Sequence, residues 1–143
     1  MAKTRHVSRD RVLQYRRFVI QKALIEKHFP CFNCKLRCGH LKCEGQITPS
    51  EGCATYRVQI SYKQGGAPEV RIKEPHMIPS ASIHMYSSGA LCLYQPAEDP
   101  WKSSDDIHRK IIPWAAEWLV FYELYLIYGK WLGPEAPHGV NGK

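Results

Sequence analysis

Tyr56-Arg57-Val58-Gln59-Ile60-Ser61-Tyr62 alternates apolar and polar side chains without a break. Successive side chains of an extended chain point to opposite faces, so this run reads as a half-buried strand. Arg57, Gln59 and Ser61 would face water, and the other four residues would face a core. A Gly-rich loop over residues 63–67 is of hairpin type, and alternation resumes after Pro68 through Val70, Ile72 and Lys73. Proline stands there at a strand start, where its missing N–H does least harm. Leu41, Cys43 and Gly45 would likewise share a face. Residues 36–74 are therefore expected to form a three-stranded antiparallel meander.

Helical periods flank the meander. From Ser8, Arg9 and Asp10 to Lys27, one set (Val12, Tyr15, Val19, Ala23) and another (Leu13, Ile20, Leu24) recur at three, four and seven residues. Ser8 or Asp10 can cap this helix, and Phe29-Pro30 ends it. Near the other end, Ser103 or Ser104 followed by Asp105 and Asp106 is a helix-start pattern. Ile107, Ile111, Trp114, Trp118, Phe121, Tyr122 and Tyr125 follow at helical period, and Gly129 closes the run. Pro113 either kinks this helix or begins a second one at its first turn. The aromatic face is read as core that covers the sheet. The expected fold class is α+β: an N-terminal helix, an antiparallel meander, a crossing segment and C-terminal helices, in a single domain over residues 1–143.

The chain of 143 residues is long enough to bury a core without disulfide staples. Its start lacks an apolar signal core, and its longest apolar stretch is interrupted by Pro113, Glu117 and Glu123. Membrane insertion and secretion are thus not indicated, and a cytoplasmic protein is expected. In that compartment the six cysteines read as thiols or metal ligands. Cys31, Cys34, Cys38 and Cys43 are the zinc candidates, yet only Cys31 and Cys34 have a usual turn spacing and His40 falls one residue late for a compact knuckle. The competing reading packs cysteines on a strand as small hydrophobes. Charge is uneven: residues 1–42 hold 11 Lys and Arg against Asp10 and Glu26, so they carry +9 and the remainder −2. That polarity suits an acidic partner, protein or nucleic acid, although charge runs also serve as solvated faces.

The stretch Ile83-His84-Met85-Tyr86-Ser87-Ser88-Gly89-Ala90-Leu91-Cys92-Leu93-Tyr94 places one cysteine after a polar, Gly-containing turn. With Leu91 and Leu93 anchoring an extended segment, Cys92 would be displayed on the opposite face as a candidate nucleophile. In this setting the chain resembles the ubiquitin-conjugating enzymes. There a His-Pro-Asn triplet precedes a loop ending in Gly, one residue, an aliphatic and Cys-Leu, which His84 and Gly89-Ala90-Leu91-Cys92-Leu93 match. Met85 and Tyr86 replace the proline and asparagine, and the loop is two residues shorter. The family's asparagine is assigned to supporting the loop or the oxyanion during aminolysis, so this departure bears on the machinery around the cysteine.

The chain is more closely similar to the stand-alone conjugating-enzyme-like proteins of type II short CBASS antiphage operons. The likeness runs through the Gly45 to Pro49 strand and turn, the strand Tyr56 to Tyr62, Pro68-Glu69-Val70, the His84 to Leu93 stretch, and Pro113-Trp114-Ala115-Ala116-Glu117-Trp118-Leu119 to Gly129-Lys130-Trp131. The Cys31 to Cys43 cluster falls outside it. The resemblance implies a cysteine-dependent acyltransferase that needs no cofactor. Cys92 would hold the C terminus of a partner, a cGAS-like cyclic-nucleotide synthase (a CD-NTase), as a thioester and pass it to a protein substrate. His84 would have a supporting role, and His138, Glu98 or Asp99 could orient or deprotonate the attacking amine. Oxyanion donors could be backbone N–H groups near Cys92 or the hydroxyls of Tyr86, Ser87 and Ser88. A catalytically inactive conjugating-enzyme-like scaffold is the second class. A zinc-dependent nucleic-acid binder built on the basic helix and Cys31 to Cys43 is the third. No membrane partner is expected, and nucleic acid is the less favoured partner.

Overall fold

The computed structural model describes residues 9–37, 39–93 and 99–134. The elements run α1 (Arg9–His28), β1 (Asn33–Arg37), β2 (His40–Ile47), β3 (Tyr56–Lys63), β4 (Glu69–Glu74), a short 3-10 turn (Ala81–Ile83), a π-helical turn (Ile107–Ile111) and α2 (Ile112–Tyr128). The strands form an antiparallel sheet in the order β1-β2-β3-β4. One face of that sheet carries the core, and the helices pack there. No helix among the described residues is long and apolar enough to cross a membrane.

The alternation of β3 is realised. Tyr56, Val58, Ile60 and Tyr62 are buried while Arg57, Gln59 and Ser61 are partly exposed. On β2, Leu41, Cys43 and Gly45 face the same core, and the Phe32 ring occupies the space that a Cβ at residue 45 would need. The sheet has a fourth strand, β1, drawn from the segment that had competing zinc and strand readings. Its register places Cys34 directly opposite Cys43, with Cα atoms 4.0 Å apart, and the two are joined as a disulfide. Neither is therefore a free thiol or a zinc ligand, and of the two readings the strand with buried cysteines is the one realised, with the pair oxidised. Directly opposed strand residues bring their side chains together on one face. Cys31 Sγ instead donates to the Gln46 carbonyl at 3.4 Å, and Cys38 lies outside the described residues. Among the described residues no three His, Cys, Asp or Glu gather as a metal site.

The helix α1 forms where its period predicts, but it is turned. Phe18, Gln21 and Ile25 are buried, whereas Val12, Leu13, Tyr15, Val19 and Ile20 are 40–61% exposed. Two polar residues explain the rotation. Gln21 Oε1 accepts the Ile107 N–H at 2.9 Å, and Gln21 Nε2 donates to Asp106 Oδ1 at 2.9 Å. Arg17 donates to the Asp105 carbonyl at 2.6 Å and to the Tyr62 hydroxyl at 3.2 Å. A buried amide with both ends satisfied fixes a face more firmly than interchangeable apolar residues.

The C-terminal region also starts later than its serines suggest. Asp105 turns back to accept the Lys102 N–H at 2.7 Å, and a wide turn begins at Ile107, closed by the Ile112 N–H on the Ile107 carbonyl. Pro113 then occupies the first turn of α2, where no helical N–H is needed. Trp118 stacks on Tyr122, which meets Tyr56 of β3 edge-on, and the Tyr56 hydroxyl donates to the Glu123 carboxylate. Gly129 ends α2 at φ 76°, its N–H on the Tyr125 carbonyl at 2.8 Å. If Gln21 sets the α1 face, Gln21→Leu leaves buried polar groups unmatched and lowers unfolding free energy by about 2 kcal/mol. Ile20→Gln, on the exposed side, changes it by less than about 0.5 kcal/mol. Chemical denaturation of the two variants checks both values.

Candidate active site

After β4 the chain is gathered by Ser80. Its hydroxyl accepts the Ser82 N–H at 3.2 Å, and its carbonyl accepts the N–H groups of Ile83 (3.3 Å) and Met85 (3.1 Å). This winds the short turn that delivers His84 in the left-handed region, φ 54° and ψ 52°. A non-glycine residue there is strained by about 1 kcal/mol, so something must hold it. The holding contacts converge on its carbonyl oxygen, which accepts the Cys92 N–H at 2.9 Å and the Trp118 indole N–H at 3.1 Å. The imidazole packs against Trp131, ring centres 5.0 Å apart. His84 thus lies beside Cys92 through its backbone, while its ring belongs to an aromatic cluster with Trp118 and Trp131.

Residues 85–91 make a tight hairpin. Met85 and Leu91 pair, the Tyr86 N–H donates to the Ala90 carbonyl at 2.8 Å, and the Gly89 N–H returns to the Tyr86 carbonyl at 2.8 Å. Gly89 has φ 90°, a backbone conformation that needs glycine. The Leu91 N–H donates to the Val70 carbonyl at 2.8 Å, stitching the hairpin to β4.

Cys92 is not displayed as the Leu91-Cys92-Leu93 alternation suggests: it is only 7% exposed, and Ala90 and Leu91 are buried beside it. The reason is local. Its N–H reaches inward to the His84 carbonyl, which Trp118 covers, so the chain dips into the core rather than running along an open pleat. Burial pushes the thiol pKa up to about 11, opposed by a hydrogen bond from the Tyr86 hydroxyl. Tyr86 is 47% exposed, so it links the buried sulfur to the surface.

Among the oxyanion donors considered from sequence, the amides of Leu91 and Cys92 are engaged by carbonyls. Ser88 Oγ faces the Ala90 N–H at 3.4 Å. Tyr86 is the hydroxyl that meets the sulfur. Asp99 pairs with Lys110 at 2.8 Å, and Glu98 and His138 lie outside the described residues. Trp118, expected as core that covers the sheet, also stands behind the loop, where Trp131 from beyond the helix joins it. For Trp118 the available signal is chemical, since a buried indole N–H calls for an acceptor, here the His84 carbonyl.

A guarded thiol has a measurable signature. In the free protein at neutral pH, Cys92 is expected to alkylate more slowly than the exposed Cys31. Its rate should rise about tenfold per pH unit toward pH 11, as the thiolate fraction does. Mass-spectrometric peptide mapping after iodoacetamide treatment reads both rates.

No curated protein matches the chain. The family model for the type II CBASS E2 protein matches residues 21–139, spanning the sheet, the Cys92 hairpin and α2, and on that match the chain belongs to the type II CBASS E2 family.

Proposed function

We propose that Cys92 carries the C-terminal acyl group of a partner protein as a thioester and delivers it to an amine. Membership in the type II CBASS E2 family supports a conjugating-enzyme-like role in CBASS. The observation that carries the residue assignment is the hairpin that returns Cys92 to His84, with the Cys92 N–H on the His84 carbonyl at 2.9 Å and Met85 paired with Leu91. In the first step the sulfur attacks an activated C-terminal carbonyl of the partner, the C–S bond forms, and the activating group leaves as the thiol proton is lost. In the second step an amine attacks the thioester carbonyl, a C–N bond forms and the sulfur departs to regain a proton. The partner in this reading is a cGAS-like cyclic-nucleotide synthase.

A thiol ionising near pH 11 is mostly protonated at neutral pH. Reaction therefore depends on the partner docking over the hairpin and on a base that takes the proton. Tyr86 stands where the resembling enzymes have asparagine, and its hydroxyl supplies the donor for the developing oxyanion. Burial of the sulfur favours one rival, a binding scaffold that holds the partner without chemistry.

The test uses a synthetic thioester of the synthase's C-terminal peptide. Read by peptide mapping, wild-type protein should form at residue 92 an adduct labile to reducing agent, Cys92→Ala should retain only exchange at Cys31 and Cys53, and Cys92→Ser should at most form a thiol-resistant ester at residue 92. Equal total adduct in Cys92→Ala removes the enzymatic reading, and peptide binding without an adduct at residue 92 in wild type establishes the scaffold. Tyr86→Phe should still load but discharge to amine about 100-fold more slowly, by the usual effect of losing one oxyanion donor. Single-turnover discharge measures it.

A further inference from the structure

The sheet face opposite the core carries a cationic cluster that the Cys92 chemistry does not use. The register places Lys35 of β1 directly opposite Lys42 of β2, Arg37 opposite His40, and His40 opposite Lys63 of β3. Like charges directly opposed across strands destabilise a sheet, and here cationic or protonatable groups oppose one another three times in succession. Lys35, Arg37, Lys42 and Lys63 are exposed, and none is ion-paired to a described carboxylate. The neighbouring part of the face is different, because Arg57 pairs with Glu44 and Glu74 and Arg71 pairs with Glu69. The unneutralised charge is thus densest across β1, β2 and the end of β3, at Lys35, Arg37, Lys42 and Lys63, while Lys73 stands apart on β4. A shallow depression of about 290 Å³ lies within the cluster, lined by Asn33, Lys35, Arg37, His40, Lys42 and Glu44.

We propose that this β1–β2–β3 face docks an acidic segment of a partner protein, its carboxylates bound by Lys35, Arg37, Lys42 and Lys63. Extent and chemistry favour a polypeptide over nucleic acid. Three strands span about 10 Å and two alternate residues about 7 Å, a footprint for a few carboxylates rather than a phosphate track. Beyond it, Arg57 and Arg71 are already paired with Glu44, Glu74 and Glu69, so they offer a continuing polyanion no unneutralised charge. The outward residues of these strands include no Phe, Tyr or Trp, the side chains on which unpaired bases stack. Asn33, Gln59 and Ser61 add short polar groups suited to a peptide. The face lies at the β1 edge of the sheet and the Cys92 hairpin is stitched to β4, so a segment held here leaves the hairpin open. The inference does not depend on Cys92 being a nucleophile.

His40 is a built-in reporter. Its Nε2 lies 2.7 Å from Ser61 Oγ, Arg37 faces it from β1, Lys42 is its neighbour on β2, and Lys63 faces it from β3. Burial and then the charges of Lys42 and Lys63 hold its pKa below the usual histidine value. An anion over the cluster must raise it. The experiment titrates the full chain with fluorescein-labelled hexaglutamate, oligothymidylate and a DNA duplex by anisotropy at low and high salt, with His40 followed by NMR. Hexaglutamate should bind at low salt and raise the His40 pKa. Lys35→Gln/Lys42→Gln, two exposed substitutions, should weaken binding about fivefold to tenfold. Arg37→Gln should weaken it in the same sense. No hexaglutamate binding, or binding unchanged in these variants, overturns the proposal. Tighter binding of either nucleic acid that is lost in the same variants also overturns it, in favour of a nucleic-acid surface.

Discussion

The carbonyl oxygen of His84 is the point on which the Cys92 segment depends. It accepts two hydrogen bonds, from the backbone of Cys92 and the indole of Trp118. Each is worth about 1 kcal/mol net, and leaving either donor unpaired in this buried position would cost more. Together they offset the left-handed conformation of His84 and tie three parts of the chain to one atom: the turn after Ser80, the strand end bearing Cys92, and α2. The position of α2 is set from the far side, where Gln21 of α1 satisfies both Ile107 N–H and Asp106. A side chain on the first helix thereby bears on the geometry of a cysteine on the far side of the fold.

The same arrangement that places Cys92 also shields it. Its amide is drawn inward, its sulfur is buried, and the Tyr86 hydroxyl is the polar contact that favours the thiolate. In the proposed chemistry such a sulfur reacts with a docked and activated partner rather than with free electrophiles. Tyr86 then has two roles in the proposed chemistry, contact with the resting sulfur and donation to the acyl oxygen once the thioester has formed. Tyr86 stands at the position of the asparagine in the resembling enzymes, on a shorter loop, and its hydroxyl meets the Cys92 sulfur.

What the sequence made legible was whatever has a local cause. The period of two in β3, the proline at the first turn of α2 and the glycine at its end act through their own backbone, and each stands where the pattern put it. The outward face of α1 could not be read, because Val12, Tyr15 and Val19 offer as good an apolar stripe as Phe18 and Ile25. The choice is made by Gln21 and Arg17 bonding to residues about 85 positions away. Cys34 and Cys43 could not be paired by spacing either, since their meeting follows from a strand register that no short motif encodes. The burial of Cys92 was hidden for the same reason. Leu91 and Leu93 suggest an open pleat, and the indole that draws the chain inward lies 26 residues downstream at Trp118.

The most direct measurement of this account is made on Trp118→Phe, which keeps an aromatic ring against Tyr122 but removes one of the two donors to His84. Amide hydrogen exchange is predicted to speed up at Met85 and Cys92 while the β2–β3 ladder stays protected, and acyl transfer from Cys92 is predicted to slow about tenfold, equivalent to roughly 1.4 kcal/mol. Unchanged exchange at Cys92 together with unchanged transfer would contradict the claim that the His84 carbonyl holds the site.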